Sequence, residues 1–214
     1  MRRTTSALLT LSALLAATAV TAPMAVAAPQ ADQLVGVPSG WEAVDGDVLN
    51  QAAEKNNSRA AVAAEPELVA LQSAKNSKFV ATEKTYAAPN TGVLRARSAA
   101  YNGSWEGFAF EWDEATETYS IRSLANNLYV AVEKNFTGNA KNELRARSAS
   151  VGGWERFIVY YNSDLDRYAL QSTLNNQFVA MENGITGTHQ YALRARSAEI
   201  SGSWEEFNLF TLEA

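Results

Sequence analysis

The sequence predicts an all-β fold, a single β-trefoil of three roughly fifty-residue, four-stranded repeats, and three observations carry that prediction. Leu94-Arg95-Ala96-Arg97-Ser98-Ala99 returns as Leu144-Arg145-Ala146-Arg147-Ser148-Ala149 and again as Leu193-Arg194-Ala195-Arg196-Ser197-Ala198, at offsets of 50 and 49 residues. Each copy leads through a Gly-containing turn into Trp-Glu-x-Phe, at 105–108, 154–157 and 204–207. Apolar residues inside the repeats follow a period of two rather than 3.6, which excludes a helical solenoid.

The elements of each repeat read in order. A first strand is predicted at Val69–Ser73, Tyr119–Ser123 and Tyr168–Ser172, and a second at Phe79–Glu83, Tyr129–Glu133 and Phe178–Glu182. The Leu-Arg-Ala-Arg-Ser runs supply the third strand, and the fourth follows Trp-Glu-x-Phe. Turn chemistry separates them: Lys75-Asn76-Ser77, Asn126-Asn127, Asn175-Asn176, Asn102-Gly103, Gly152-Gly153 and Ser201-Gly202. Four strands in each of three units make twelve, too few blades for a propeller and the number used by a threefold barrel with hairpin caps. The trefoil is placed at 67–214, with repeats 67–118, 119–167 and 168–214, and its first strand is expected to pair with Phe207–Leu212, closing the barrel.

Residues 1–27 read as a signal peptide: Arg2 and Arg3, an Ala/Leu-rich run from Ala7 to Val20, then the small residues Ala25-Val26-Ala27. Thr5 stands where a twin-arginine signal carries a large apolar residue, which favours general secretion and an extracellular location. No stretch reaches the ~20 apolar residues of a membrane span. Residues 28–66 form a leader or linker, either disordered or partly helical: Asp47–Ala64 is Ala-rich enough for a weak helix, interrupted by Asn56-Asn57-Ser58. Trp41 is the one side chain there suited to packing on the barrel.

Composition narrows the function. Two of the 18 basic residues and none of the 23 acidic ones fall within 1–27, so the mature chain carries 16 against 23, a net −7. That argues against nucleic acid as a partner. The chain has no cysteine and one histidine, His189, so neither disulfides nor a zinc, copper or haem site is expected, and no cofactor.

The run Phe/Tyr-Val-Ala-x-x-Glu, Leu-Arg-Ala-Arg-Ser and Trp-Glu-x-Phe resembles the repeat of fascin-like trefoils, over essentially all of the chain after Glu67. Among exported bacterial proteins it is similar to trefoil carbohydrate-binding modules that recognise β-glucans. That resemblance implies a Trp and a Glu in each repeat as sugar contacts. The Gln-x-Trp signature and disulfides of ricin-type lectins are absent. The resemblance to fascin carries fold rather than role, since an actin bundler joins several trefoils in the cytoplasm.

Strand alternation assigns faces. Phe108, Phe157 and Phe207 should fill the barrel, followed by Phe110, Val159 and Leu209, whereas Trp105, Trp154 and Trp204 fall on the opposite parity and should face out. An exposed indole offers a plane to the C–H face of a pyranose; the alternative is that each Trp closes the barrel rim. Glu106, Glu155 and Glu205 can reach a bound sugar or bond to turn amides. Glu83, Glu133 and Glu182 can accept from vicinal hydroxyls or pair with arginines. Arg95, Arg97, Arg145, Arg147, Arg194 and Arg196 should all point outward, most simply as partners of Glu; one per unit could instead donate to a sugar hydroxyl or an acidic polysaccharide.

These residues predict a secreted, monomeric, non-enzymatic module that binds a polysaccharide such as β-glucan at up to three sites. Recurrence of the same carboxylates in three similar settings argues against a glycoside hydrolase, which needs two in different environments. A protein-binding or inhibitory trefoil is the other class, and Tyr86–Thr91 and Gly184–Tyr191, the segments that differ most between repeats, would be its surfaces. The sugar, its linkage, the number of active sites, the role of residues 28–66 and any partner enzyme are not encoded legibly.

Overall fold

Short alternating runs bounded by Asn, Gly and Ser give thirteen strands among the residues described by the computed structural model, 36–46 and 66–212. All of these residues belong to one unit, Leu34–Ala214. The signal peptide read at 1–27 and the weak helix read over 47–64 lie outside the described residues.

The first repeat contributes β2 (Glu67–Ser73), β3 (Phe79–Glu83), β4 (Val93–Ser98) and β5 (Gly107–Asp113). The second contributes β6 (Thr118–Ser123), β7 (Tyr129–Val132), β8 (Leu144–Ser148) and β9 (Arg156–Asn162). The third contributes β10 (Arg167–Ser172), β11 (Gln177–Met181), β12 (Leu193–Ser197) and β13 (Phe207–Thr211). Outer strands of the three units pair antiparallel in a closed ring, β2–β5–β6–β9–β10–β13 and back to β2. The middle strands form three hairpins, β3–β4, β7–β8 and β11–β12, each with a bulge at the same place, after Phe79, Tyr129 and Phe178. This is a β-trefoil, and ring closure leaves the barrel strands no free edge to defend.

The interior is threefold as well. Phe108, Phe157 and Phe207 are wholly buried, as are Val80, Val130 and Val179; Leu71, Ile121 and Leu170 are nearly so. At about 1.5–3 kcal/mol per fully buried large apolar side chain, such triplets are what holds a domain without disulfides. Leu209, expected to match Phe110 and Val159, is only partly buried against this core.

The turns explain the recurrent Asn. Asn76, Asn126 and Asn175 each donate a side-chain N–H to the carbonyl of Ala96, Ala146 or Ala195, at 2.8, 2.8 and 2.9 Å, tying the β2–β3 turn and its counterparts to the third strand. The next residue in each turn, Ser77, Asn127 or Asn176, adopts the left-handed conformation that Asn tolerates best, φ 56, 60 and 55°.

Part of the segment read as leader joins the sheet. β1 (Trp41–Ala43) pairs antiparallel with β9 through Trp41 and Asn162, Glu42 and Tyr161, and Ala43 and Tyr160. Trp41 is buried among Tyr160, Ala169, Phe178 and Ile200. The Gly36 carbonyl accepts from Ile200 N–H at 3.0 Å, and a Cβ at Gly36 would lie 2.0 Å from the Ala198 carbonyl oxygen, so only glycine allows that approach.

Candidate functional site

Each Trp-Glu-x-Phe motif begins in a turn, not in the strand. Trp105, Trp154 and Trp204 precede their strands, so alternation does not extend to them. Their positions are set instead by the backbone: the three Trp carbonyls accept from Thr82, Val132 and Met181 N–H at 2.9, 3.0 and 2.9 Å. Every one of these Trp residues is half-buried. A cation lies over each ring, and its source differs: Lys84 over Trp105 at 5.4 Å, Arg147 over Trp154 at 5.5 Å and Lys75 over Trp204 at 4.3 Å. The three places are alike in ring and unlike in cation.

Neither set of candidate carboxylates is presented to solvent. Glu106, Glu155 and Glu205 are buried, and they bond within their turns. Glu106 accepts from Ser98 Oγ at 2.7 Å and from Asn102 N–H at 3.2 Å; Glu155 accepts from Gly152 N–H at 2.8 Å; Glu205 accepts from Ser197 Oγ at 2.6 Å and Ser201 N–H at 3.3 Å. Of the two roles open to them from sequence, the turn is the one their geometry fills. The physical reason is local: a carboxylate one residue after Trp folds back over amides that no strand partner satisfies.

Glu83, Glu133 and Glu182 are buried too, and each is shared by two arginines. Glu83 binds Arg95 at 3.3 Å and also Arg97; Glu133 binds Arg145 at 3.0 Å and Arg147 at 2.7 Å; Glu182 binds Arg194 at 3.2 Å and also Arg196. The hydrogen bond to Glu83 is the main cause that holds Arg97 above its ordinary pKa. A carboxylate between two guanidiniums is committed to the protein.

The expectation that all six arginines point outward is corrected by half. Arg95, Arg145 and Arg194 turn inward across the repeat boundary: their Nε atoms donate to the carbonyls of Gln190, Thr91 and Lys141 at 2.6, 3.0 and 2.8 Å. The second of each pair faces out, with side chains of Arg97, Arg147 and Arg196 exposed by 37, 34 and 41%. These outer guanidiniums are each fixed at one side by a buried Glu. Among the described residues no group of His, Cys, Asp and Glu could hold a metal ion, and no helix is long and apolar enough to cross a membrane.

No family model and no curated protein matches the chain. Solved structures do. A designed threefold-symmetric protein, ThreeFoil, superposes with TM-score 0.55 at 16% identity, over 68% of this chain and 99% of that one. A ricin B-like lectin of Macrolepiota procera, solved with lactose, gives 0.52 at 8% identity, over 70% and 98%. A GlcNAcα1-4Gal-releasing endo-β-galactosidase of Clostridium perfringens gives 0.51 at 8% identity, over 69% of this chain and 33% of that one. Identities this low establish the shared trefoil fold.

Proposed function

We propose that this protein is an exported, monomeric carbohydrate-binding trefoil that engages a polysaccharide of β-glucan type at up to three places, centred on Trp105, Trp154 and Trp204. The observation that carries the reading is the threefold recurrence of a half-buried indole with a cation at its face. A pyranose stacks through its C–H face on the part of such a ring that the cation leaves open, while exposed N–H donors, the Arg147 guanidinium beside Trp154 among them, reach its hydroxyls. Glu83, Glu133 and Glu182 then act as supports that hold the arginines, and Glu106, Glu155 and Glu205 as supports that hold the turns.

Binding rather than cleavage is favoured by the same contacts. Hydrolysis of a glycosidic bond needs an acid and a base of unlike environment facing one cleft. Here the recurrent carboxylates are tied to arginines or turn amides in three matching settings. The fold is also one that a lectin uses with lactose. Export rests on Arg2–Ala27 alone.

The test is depletion of the mature protein from solution by insoluble glucans, set beside the triple variant Trp105→Ala, Trp154→Ala, Trp204→Ala. Loss of depletion in the variant supports the reading. Equal depletion of both proteins, or none by any member of a broad polysaccharide panel, overturns it, and release of reducing sugar by the purified protein would move the assignment to an enzyme.

A further inference from the structure

The three hairpin loops differ in sequence, and where they meet the threefold pattern breaks. Position 93 in the first repeat is Val and position 192 in the third is Ala, both wholly buried; between them in the series stands Glu143, equally buried. Its Oε1 lies 2.8 Å from Nδ1 of His189, the only histidine in the chain, which comes from the loop of the third repeat. The other carboxylate oxygen, Oε2, has no hydrogen-bond partner among the described residues. A carboxylate in place of a small apolar residue, with one oxygen unsatisfied, costs stability that Val93 and Ala192 do not. Sites kept at such a cost are where function is to be sought.

His189 of this pair also lines an open cleft of about 500 Å³, with Pro89 and Asn90 of the first loop and Phe136, Thr137 and neighbours of the second. Its size falls in the ~300–1,000 Å³ range of small-molecule sites. Among the described residues no Lys, Arg, Asp or Glu lines it. Phe136, with Arg145 over its ring at 5.3 Å, supplies an aromatic wall, and Pro89 and Ala140 supply further apolar surface. The polar lining is Asn90, Asn135, Thr137 and the imidazole.

That lining selects a ligand class. Asn and Thr side chains both donate and accept. With Nδ1 engaged by Glu143, the free polar atom of His189 is Nε2, which donates or accepts according to where the shared proton sits. A hydroxyl, which both donates and accepts, answers either state. A neutral cleft favours an uncharged molecule, and the aromatic wall favours one with an apolar C–H face.

We propose that this cleft is a further binding site, single and distinct from the three indole places, for a neutral polyhydroxylated molecule the size of a saccharide ring, held by His189 and seated against Phe136. The ligand follows from the lining, so the proposal stands whether or not the indoles bind glycan.

The experiment is NMR shift mapping of the full mature chain with glucose, cellobiose and laminaribiose, each raised to tens of millimolar so that weak single-ring binding registers. The expected result is saturable shifts at Asn90, Asn135, Thr137 and His189 in the native protein and in the triple Trp variant. They should vanish in Glu143→Val/His189→Ala, which removes both polar partners together and leaves no orphaned buried charge. Asn135→Ala, at an exposed position that does not threaten folding, should weaken binding about fivefold, the worth of one hydrogen bond. Absence of cleft shifts with all three sugars overturns the proposal, as does their survival in the double variant. Shifts confined to the surroundings of Trp105, Trp154 and Trp204 overturn it while leaving the polysaccharide reading intact; silence at both overturns both.

Discussion

The guanidinium of Arg145 binds Glu133 of its own repeat and, through Nε at 3.0 Å and a terminal nitrogen at 2.7 Å, the carbonyl of Thr91 in the repeat before. The same reach joins Arg95 to Gln190 and Arg194 to Lys141, so each repeat is clamped to the next around a ring of three. Backbone bonds run beside it, from Ala96, Ala146 and Ala195 N–H to the carbonyls of Tyr191, Gly92 and Asn142. The repeat motif Leu-Arg-Ala-Arg is thus an inter-repeat lock with one inward and one outward cation.

Arg145→Ala and Arg147→Ala should therefore differ. The first leaves Glu133 half-compensated in a buried place and the Thr91 carbonyl without its donor, and should cost about 2–4 kcal/mol. The second also takes one partner from Glu133, but it spares the contact across the boundary and removes a side chain that is a third exposed, so it should cost less, about 1–2 kcal/mol. Urea denaturation of the two variants checks this; equal losses would mean that the clamp across the boundary contributes nothing.

Ser77→Asn should stabilise the protein by about 0.5–1 kcal/mol. Ser77 occupies the left-handed region at φ 56°, where the second and third repeats carry Asn127 and Asn176. Its side chain has no bond there that the substitution would break, and the neighbouring Asn76 already holds the turn. A change in the urea midpoint measures the gain, and a loss would show that the turn, not the residue's conformational preference, sets the cost.

How much of this was legible in sequence depends on whether a feature is local. The twelve strands of the three repeats and the apolar triplets follow from period-two runs repeated at offsets of 50 and 49 residues, whereas β1, outside the repeat, does not. Parity reads Trp105, Trp154 and Trp204 as outward, yet they sit in turns, where parity has no meaning, and are half-buried. Arg95 and Arg97 share a strand face and so read alike. What separates them is the loop of another repeat, 95 residues away in the chain, which reaches only the first. The pairing of Glu143 with His189 is equally non-local, but it left a signal: one charged residue where the other repeats hold Val93 and Ala192, and one histidine in the chain.

Glu143→Val should stabilise the protein by about 1–3 kcal/mol near neutral pH, because it removes a buried oxygen without a partner. Burial is the largest influence on this carboxyl and raises its pKa above the ordinary value, with the bond to His189 acting in the opposite direction. The folded state thus holds the proton more tightly than the unfolded one, whose carboxyl titrates near 4.3. The native protein loses stability as pH rises from that value through the folded one, and is level above it. Its deficit against Glu143→Val should accordingly be smallest at the acid end and widen across the weakly acidic range. Paired denaturation curves at several pH values test the sign, and a deficit that shrinks with rising pH would contradict it.

Trp41→Ala should cost about 2–4 kcal/mol, a large apolar side chain removed from a pocket formed by Tyr160, Ala169, Phe178 and Ile200 at the edge of the barrel. The other two repeat junctions carry different side chains where Tyr160 meets Phe178: Phe210 beside Phe79 in one, and Glu111 bonded to Tyr129 in the other. The substitution should therefore leave Trp105 and Trp204 in place and alter only the junction of the second and third repeats. Near-ultraviolet circular dichroism and urea denaturation report the loss, and an unchanged midpoint would mean that the strand pairing of Trp41–Ala43 holds the segment without its aromatic anchor.

If the indoles bind a polymer, their contributions should combine through effective concentration rather than through one strong site. Replacing a single Trp by Ala should lower apparent affinity for a long chain about tenfold, and replacing a second should reduce it to weak single-site binding. A short oligosaccharide that spans one site should instead keep its dissociation constant and lose only stoichiometry. The cations sharpen the test, since each ring draws on a different one: Lys75→Ala should weaken only the place at Trp204, and Lys84→Ala only the place at Trp105. Isothermal titration with the oligosaccharide and co-sedimentation with the polymer separate the two behaviours. Uniform loss of oligosaccharide affinity on replacing any one Trp would mean that the three rings form a single coupled surface, and the independence argued from their separate turns would fall.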